Sequence, residues 1–226
     1  APRTLLLLLL IALTIAVSVG IVPREALLIW TGIAAFLILC SSLKDGLWLF
    51  LAAMPILPAL PLDRFDSFNA FIFLIPILAL RAWIERGSQP KPWLPTQPAL
   101  RLLAVGALTL LGFMALSVLV APDRSLALQR LLFFVLAFGF AGVVATHLAR
   151  GGASRTIRQA LTIAIAIVVT GGFAQLILVK LLGLNTFWSA WALGVIPALF
   201  GDALSRVLLV TNSWFAFLPG KLPTLR

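Results

Sequence analysis

Long apolar runs, separated by short breaks rich in charge, proline or glycine, follow one another along this chain of 226 residues. A helix needs about 20 apolar residues to cross the hydrocarbon core of a bilayer, so we read each run as one membrane span. The runs occupy residues 4–22, 26–43, 47–62, 68–84, 102–120, 131–148 and 160–179, with a shorter final run at 207–218. The pattern therefore predicts an all-α fold, a polytopic integral membrane helix bundle of about seven to eight transmembrane helices.

The composition excludes a soluble globular domain. Hydrophobic residues make up 62% of the chain and charged residues 11%, and the mean hydropathy is +1.13, whereas about a quarter of a soluble domain is charged. The net charge of +10 does not indicate nucleic-acid binding, because the 17 lysines and arginines are spread singly over the loops and form no basic helix face. The partners that such a surface predicts are membrane lipids and other membrane proteins.

The distribution of lysine and arginine between the two sides of the predicted bundle gives its orientation, since cytoplasmic loops carry the excess of positive charge. Nine of these residues fall on the side of the N-terminus: Arg3, Lys44, Arg81, Arg86, Lys91, Arg101, Arg150, Arg155 and Arg158. The other side has six: Arg24, Arg64, Arg124, Arg130, Lys180 and Arg206. The N-terminus is therefore predicted to be cytoplasmic. Residues 183–205 are predicted to form an external interfacial segment within a single transmembrane domain that covers 1–226.

Three prolines at a spacing of three, Pro55, Pro58 and Pro61, interrupt the third predicted span. Each proline lacks an N–H and would remove one hydrogen bond from a helix. Such irregular backbone is tolerated at membrane depth only against protein or a water-filled cavity. Two interpretations stay open at this point: the helix is unwound beside a binding cavity, or it simply ends early.

Cations on the external side are candidates for binding phosphate, because a guanidinium group binds phosphate in a bidentate manner and each cation contributes charge. In order of preference they are Arg206, Arg64, Lys180 and Arg124. Arg64 stands in an Asp-Arg-Phe-Asp loop, so an ion pair with Asp63 or Asp66 is its alternative role. For Arg206 and Lys180 the alternative is that each side chain snorkels to the membrane interface. No metal site is predicted.

Two tryptophans mark the segment 183–205. Trp188 and Trp191 are three residues apart, so they share one face of a predicted helix. Tryptophans anchor helices that lie in the membrane interface, and this predicts such a position for the segment. It is either an ordinary anchor or a lid over a lipid substrate.

Two of these features resemble the N-terminal half of the bacterial O-antigen ligase/polymerase family. One is the proline-rich third span followed by the Asp-Arg-Phe-Asp loop. The other is the run from Arg206 to Ala216, which ends in Thr-Asn-Ser-Trp-Phe-Ala and is similar to the family's Arg-x-x-Gly-Thr-Phe-x-Asn-Pro-Asn-x-x-Ala stretch. The resemblance covers residues 47–218. This chain differs from that stretch in having Leu-Leu-Val at 208–210 in place of Gly-Thr-Phe, and Ser213 in place of the proline.

The resemblance implies a membrane glycosyltransferase-type protein that handles a polyprenyl-pyrophosphate-linked glycan at the external face of the bacterial inner membrane, without a cofactor. It implies that the chain is the N-terminal part of a longer protein, whose catalytic half and general base lie outside these residues. External cations would neutralise the pyrophosphate leaving group. Two alternatives stay open: a non-catalytic structural subunit of a membrane complex, and a small transporter subunit, although ionisable residues within the spans are few for the latter.

Overall fold

The computed structural model describes residues 2–57, 60, 70–87, 98–148 and 153–201, and all regular structure in these ranges is helical. The helices are α1 (Pro2–Ser18), α2 (Ala26–Cys40), α3 (Leu43–Ala53), α4 (Phe71–Arg86), α5 (Pro98–Val120), α6 (Arg124–Leu148), α7 (Ala153–Leu182), α8 (Leu184–Ala190) and α9 (Ile196–Phe200). A 3₁₀ turn, Met54–Ile56, follows α3, and a π-helical turn, Trp191–Val195, joins α8 to α9. The predicted all-α fold is confirmed for these ranges.

Helix α3 is the centre of the bundle, where it contacts α1, α2, α4, α6 and α7. Nine of its eleven residues are buried, as expected of a helix that is apolar on all sides and enclosed by others. A Cβ atom on Gly46 would lie 3.1 Å from side-chain atoms of both Ile38 on α2 and Leu78 on α4. The missing side chain therefore lets α2, α3 and α4 approach one another closely.

The two ends of α3 have different causes. The helix begins after the N-cap residue Ser42, whose hydroxyl accepts a hydrogen bond from the N–H of Asp45 at 3.3 Å. It ends at Ala53, just before Pro55, which has no N–H to continue the helical hydrogen bonds. Eleven residues make a helix of about 16 Å, roughly half the thickness of the hydrocarbon core. The helix thus ends early, as one of the two interpretations predicts, whereas Pro58 and Pro61 lie outside the described residues.

Polar contacts at one end of the bundle show how α1, α3 and α4 are oriented. Arg3, near the start of α1, forms an ion pair with Asp45, and its guanidinium lies 4.9 Å from the ring centroid of Trp48 on α3. Glu85, near the end of α4, accepts a hydrogen bond of 2.7 Å from the N–H of Leu43 at the start of α3. The starts of α1 and α3 and the end of α4 therefore meet at one end, which we call the charged end. The opposite end is called the far end.

Helix α6 runs toward the charged end, parallel to α4 and antiparallel to α3. Its Phe133 lies 5.9 Å from Phe71 at the start of α4, and its Phe140 lies 5.0 Å from Phe50 inside α3, as measured between ring centroids. Helix α5 packs on α6. The turn between them is closed by Asp123, whose carboxylate accepts a hydrogen bond of 3.0 Å from the N–H of Leu126. The α5–α6 turn therefore lies at the far end.

The segment Leu184–Phe200, formed by α8, the π-helical turn and α9, reaches the far end of the bundle. Gly183 has a φ of 80°, a conformation that favours glycine, and it turns the chain between α7 and α8. Leu199 on α9 is buried with Val17, near the end of α1, and with Leu27, near the start of α2. The segment therefore covers the far ends of the first two helices.

Three helical stretches are long and apolar enough to cross a membrane: Arg101–Val120, Arg124–Ala145 and Ser154–Leu182. Three shorter apolar helices accompany them: Pro2–Ser18, Ala26–Cys40 and Leu184–Phe200. These lengths support a membrane protein. The count of seven to eight spans stays a prediction, because α3 and several other helices are shorter than the about 20 residues that a span needs.

Candidate functional site

An apolar groove of about 400 Å³ lies between α3, α4 and α6 in the half of the bundle toward the far end. We call it the aromatic groove, because five of its lining residues are phenylalanines and a methionine adjoins them: Phe50, Phe71, Phe133, Phe134, Phe140 and Met54. The remaining lining residues are also apolar. The groove therefore offers hydrocarbon contacts and no acid or base.

The early end of α3 helps to shape the aromatic groove. Met54 is the first residue after α3, it is 55% exposed, and it lines the groove. The groove therefore begins where α3 stops, since Pro55 prevents another regular turn of helix at this position. An apolar groove thus lies beside the early end of α3, and the interpretation of a binding cavity at this position stays a prediction.

The wall contributed by α6 follows from helical spacing. Phe133, Ala137 and Phe140 are four and three residues apart, so they lie on one face of α6. Ala137 has the smallest side chain in the lining, and it leaves space between the two rings. Phe133 and Phe134 are 42% and 43% exposed. Because the surrounding lipid is itself apolar, a hydrocarbon chain in this groove would be held by van der Waals contact and by shape complementarity.

The structure describes two of the four predicted phosphate-binding cations. Arg124 is the exposed first residue of α6, and its guanidinium donates a hydrogen bond of 3.5 Å to the carbonyl of Leu119. Lys180 is exposed near the end of α7. They stand on different helices, Arg124 on α6 and Lys180 on α7. Arg64 and Arg206 lie outside the described residues.

Arg130 is a cation beside the groove that sequence reasoning used only to assign the orientation. It precedes Phe133 by three residues and Phe134 by four on α6, so it shares their helix face, one turn nearer the far end. Its side chain is exposed. The sequence contains a signal for this position, since an arginine followed by phenylalanines three and four residues later places all three side chains on one helix face.

The two tryptophans of the segment 184–200 pack within the protein. Trp188, expected to be an interfacial anchor, is only 2% exposed and lies against Ala192 and Ile196. Trp191 stacks on Phe187 with ring centroids 5.7 Å apart. These contacts stabilise the segment itself, and its position in the membrane interface stays a prediction.

A smaller recess of about 200 Å³ lies at the charged end, between α1, α2 and α3. One oxygen of Asp45 there accepts a hydrogen bond from Arg3 and the other accepts one of 2.9 Å from the hydroxyl of Ser42. Arg81 forms an ion pair of 3.2 Å with Glu85 nearby. Since each carboxylate is engaged by an arginine, we interpret this end as structural. Within the described ranges, no group of three histidine, cysteine or acidic residues could hold a metal ion.

No protein-family model, curated protein or solved structure matches this chain.

Proposed function

We propose that this chain is a multi-pass protein of the bacterial inner membrane that binds a polyprenyl-pyrophosphate-linked glycan and takes part in its transfer at the external face. The resemblance to the O-antigen ligase/polymerase family motivates this proposal. The observation that carries it is the aromatic groove, a recess of about 400 Å³ that is lined by apolar side chains and suits a hydrocarbon chain.

The orientation in this proposal has the charged end in the cytoplasm and seven to eight spans in the membrane. Its support is the excess of lysine and arginine on the side of the N-terminus. The far end is then external. A polyprenyl chain in the aromatic groove would direct its pyrophosphate toward that end, since the opposite direction leads to the closely packed centre around α3.

The chemistry assigned to this chain is binding and charge neutralisation. In the transfer, the acceptor oxygen forms a bond to the anomeric carbon of the sugar, and the bond from that carbon to the pyrophosphate oxygen breaks. The pyrophosphate leaves with the electron pair of the broken bond, and a general base takes the proton of the acceptor hydroxyl. Cations near the leaving group stabilise the charge that develops on it. The external cations proposed for this role are Arg206, Arg64, Lys180 and Arg124, of which Arg124 is the first residue of α6. The general base is not assigned to these residues.

The test is to fill the aromatic groove and measure binding of undecaprenyl pyrophosphate. In Ala137→Phe a benzyl group replaces a methyl group in the lining, so the purified variant should bind this lipid at least about tenfold more weakly in native mass spectrometry. The matched control is Ala141→Phe, since Ala141 is an exposed alanine one turn along α6 and outside the lining. Equal binding by both variants, or no binding by the unchanged protein, would contradict the proposed function.

A further inference from the structure

Arg130 occupies an unusual position along α6. It lies six residues after Arg124, which corresponds to about 9 Å along the helix axis, and it falls inside the stretch Arg124–Ala145 that is apolar enough to cross a membrane. A charged residue within a membrane-spanning helix is costly unless its side chain reaches the interface or has a partner or a function. Arg124, by contrast, stands at the first residue of the helix, where a cation needs no special explanation.

The described surroundings of Arg130 contain no carboxylate that pairs with it. The ion pairs of Arg3 with Asp45 and of Arg81 with Glu85 both lie at the charged end. The nearest described acid along α6 is Asp123, which is engaged in capping that helix. An exposed guanidinium beside an apolar groove therefore complements an amphiphile that has an anionic head and a hydrocarbon chain.

The order of Arg130 and the groove residues along α6 determines the direction in which such an amphiphile would lie. The groove residues Phe133, Phe134 and Ala137 follow Arg130, so they stand nearer the charged end than it does. Side chains on a helix lean toward its N-terminus, which for α6 is at the far end. The hydrocarbon chain would thus occupy the groove, and the anionic head group would contact Arg130, one helical turn nearer the far end.

We infer that Arg130 binds the phosphate next to the hydrocarbon chain of a polyprenyl phosphate or pyrophosphate held in the aromatic groove. The inference rests on the proposed function, because it assumes the same lipid in the same groove. It adds a residue that selects phosphorylated polyprenyl lipids over uncharged ones. The guanidinium group can make two parallel hydrogen bonds to phosphate oxygens, so lysine would replace its charge but not its geometry.

The experiment compares undecaprenyl phosphate with undecaprenol, which has the same chain without the phosphate. Binding of each lipid to the purified full chain is titrated by native mass spectrometry in a neutral detergent. We expect Arg130→Gln to weaken binding of undecaprenyl phosphate by about tenfold or more and to leave undecaprenol binding unchanged. Arg130→Lys should bind undecaprenyl phosphate with an affinity between those of the unchanged protein and of Arg130→Gln. The matched control is Arg155→Gln, since Arg155 is an exposed arginine near the start of α7, at the charged end.

Three outcomes overturn the inference in distinguishable ways. If Arg130→Gln and Arg155→Gln weaken undecaprenyl phosphate binding equally, the effect is one of net charge. If Ala137→Phe abolishes binding but Arg130→Gln does not alter it, the groove function stands and the role of Arg130 falls. If dioleoyl phosphatidylglycerol displaces undecaprenyl phosphate at equal concentration, the site is a general one for anionic lipids. Circular dichroism of each variant establishes that it is folded.

Discussion

At Gly46 three helices approach one another so closely that no side chain fits without displacing its neighbours. Gly46→Leu would force its side chain against Ile38 and Leu78, and overpacking of this kind costs about 1–3 kcal/mol. We expect a lower midpoint of thermal unfolding in detergent micelles. The matched control is Gly32→Leu on α2, because nothing lies within 4 Å of a Cβ placed there. Equal midpoints for the two variants would show that the centre of the bundle is loosely packed.

Single residues also show what the sequence could and could not predict. The start of α3 was expected at residue 47, but the structure begins it at Leu43 after the cap formed by Ser42 and Asp45. The spacing of a serine and an aspartate three apart is a start signal that was present in the sequence. The same applies to α6, which begins at Arg124 after its cap Asp123, earlier than the apolar run at 131–148 indicates.

The aromatic groove depends on how the helices pack, which the sequence pattern does not specify. Phe50, Phe71 and Phe133 are distant in the sequence, and they form one groove only because α3, α4 and α6 pack side by side. Apolar periodicity identifies a membrane helix, but it does not say which faces meet when almost every face is apolar. The helical fold class could therefore be predicted from the sequence, whereas the aromatic groove could not. The predicted roles of Arg64 and Arg206 stay predictions.

At the scale of elements, the early end of α3 before Pro55 lets us predict the effect of replacing this proline. Pro55→Ala restores a backbone N–H after Ala53 and favours another turn of helix, which would move Met54 within the groove lining. We expect the midpoint of thermal unfolding to stay equal or rise, while binding of undecaprenyl pyrophosphate falls severalfold, on the order of 1 kcal/mol. Both quantities are measured on the same purified preparation.

Pro197→Ala is the control for this change, because Pro197 lies in the first turn of α9, outside the groove lining. It should leave binding of undecaprenyl pyrophosphate unaltered. Unchanged binding in Pro55→Ala, at equal stability, would mean that the end of α3 does not shape the groove.

At the scale of the whole molecule, the charge distribution predicts the topology. A reporter fused after Gln89, which follows the end of α4, should be cytoplasmic. One fused after Asp123, in the α5–α6 turn, should be external. Alkaline phosphatase, active only outside the cytoplasm, and a fluorescent protein that needs the cytoplasm to mature give opposite readouts for each position. The reverse pair of results would refute the assigned orientation, and with it the external placing of the aromatic groove.

The enclosure of α3 bears on how the protein is made. Its contacts with α7 join residues 43–53 to residues 153–182, so about a hundred residues are synthesised between α3 and the last of its neighbours among the described helices. Until then the surface of α3 that α7 covers in the folded protein has no contact with that helix. The ion pair of Arg3 with Asp45 forms between α1 and α3 alone and holds the start of α3 in place. The enclosure of α3 is therefore completed only when α7 has been synthesised.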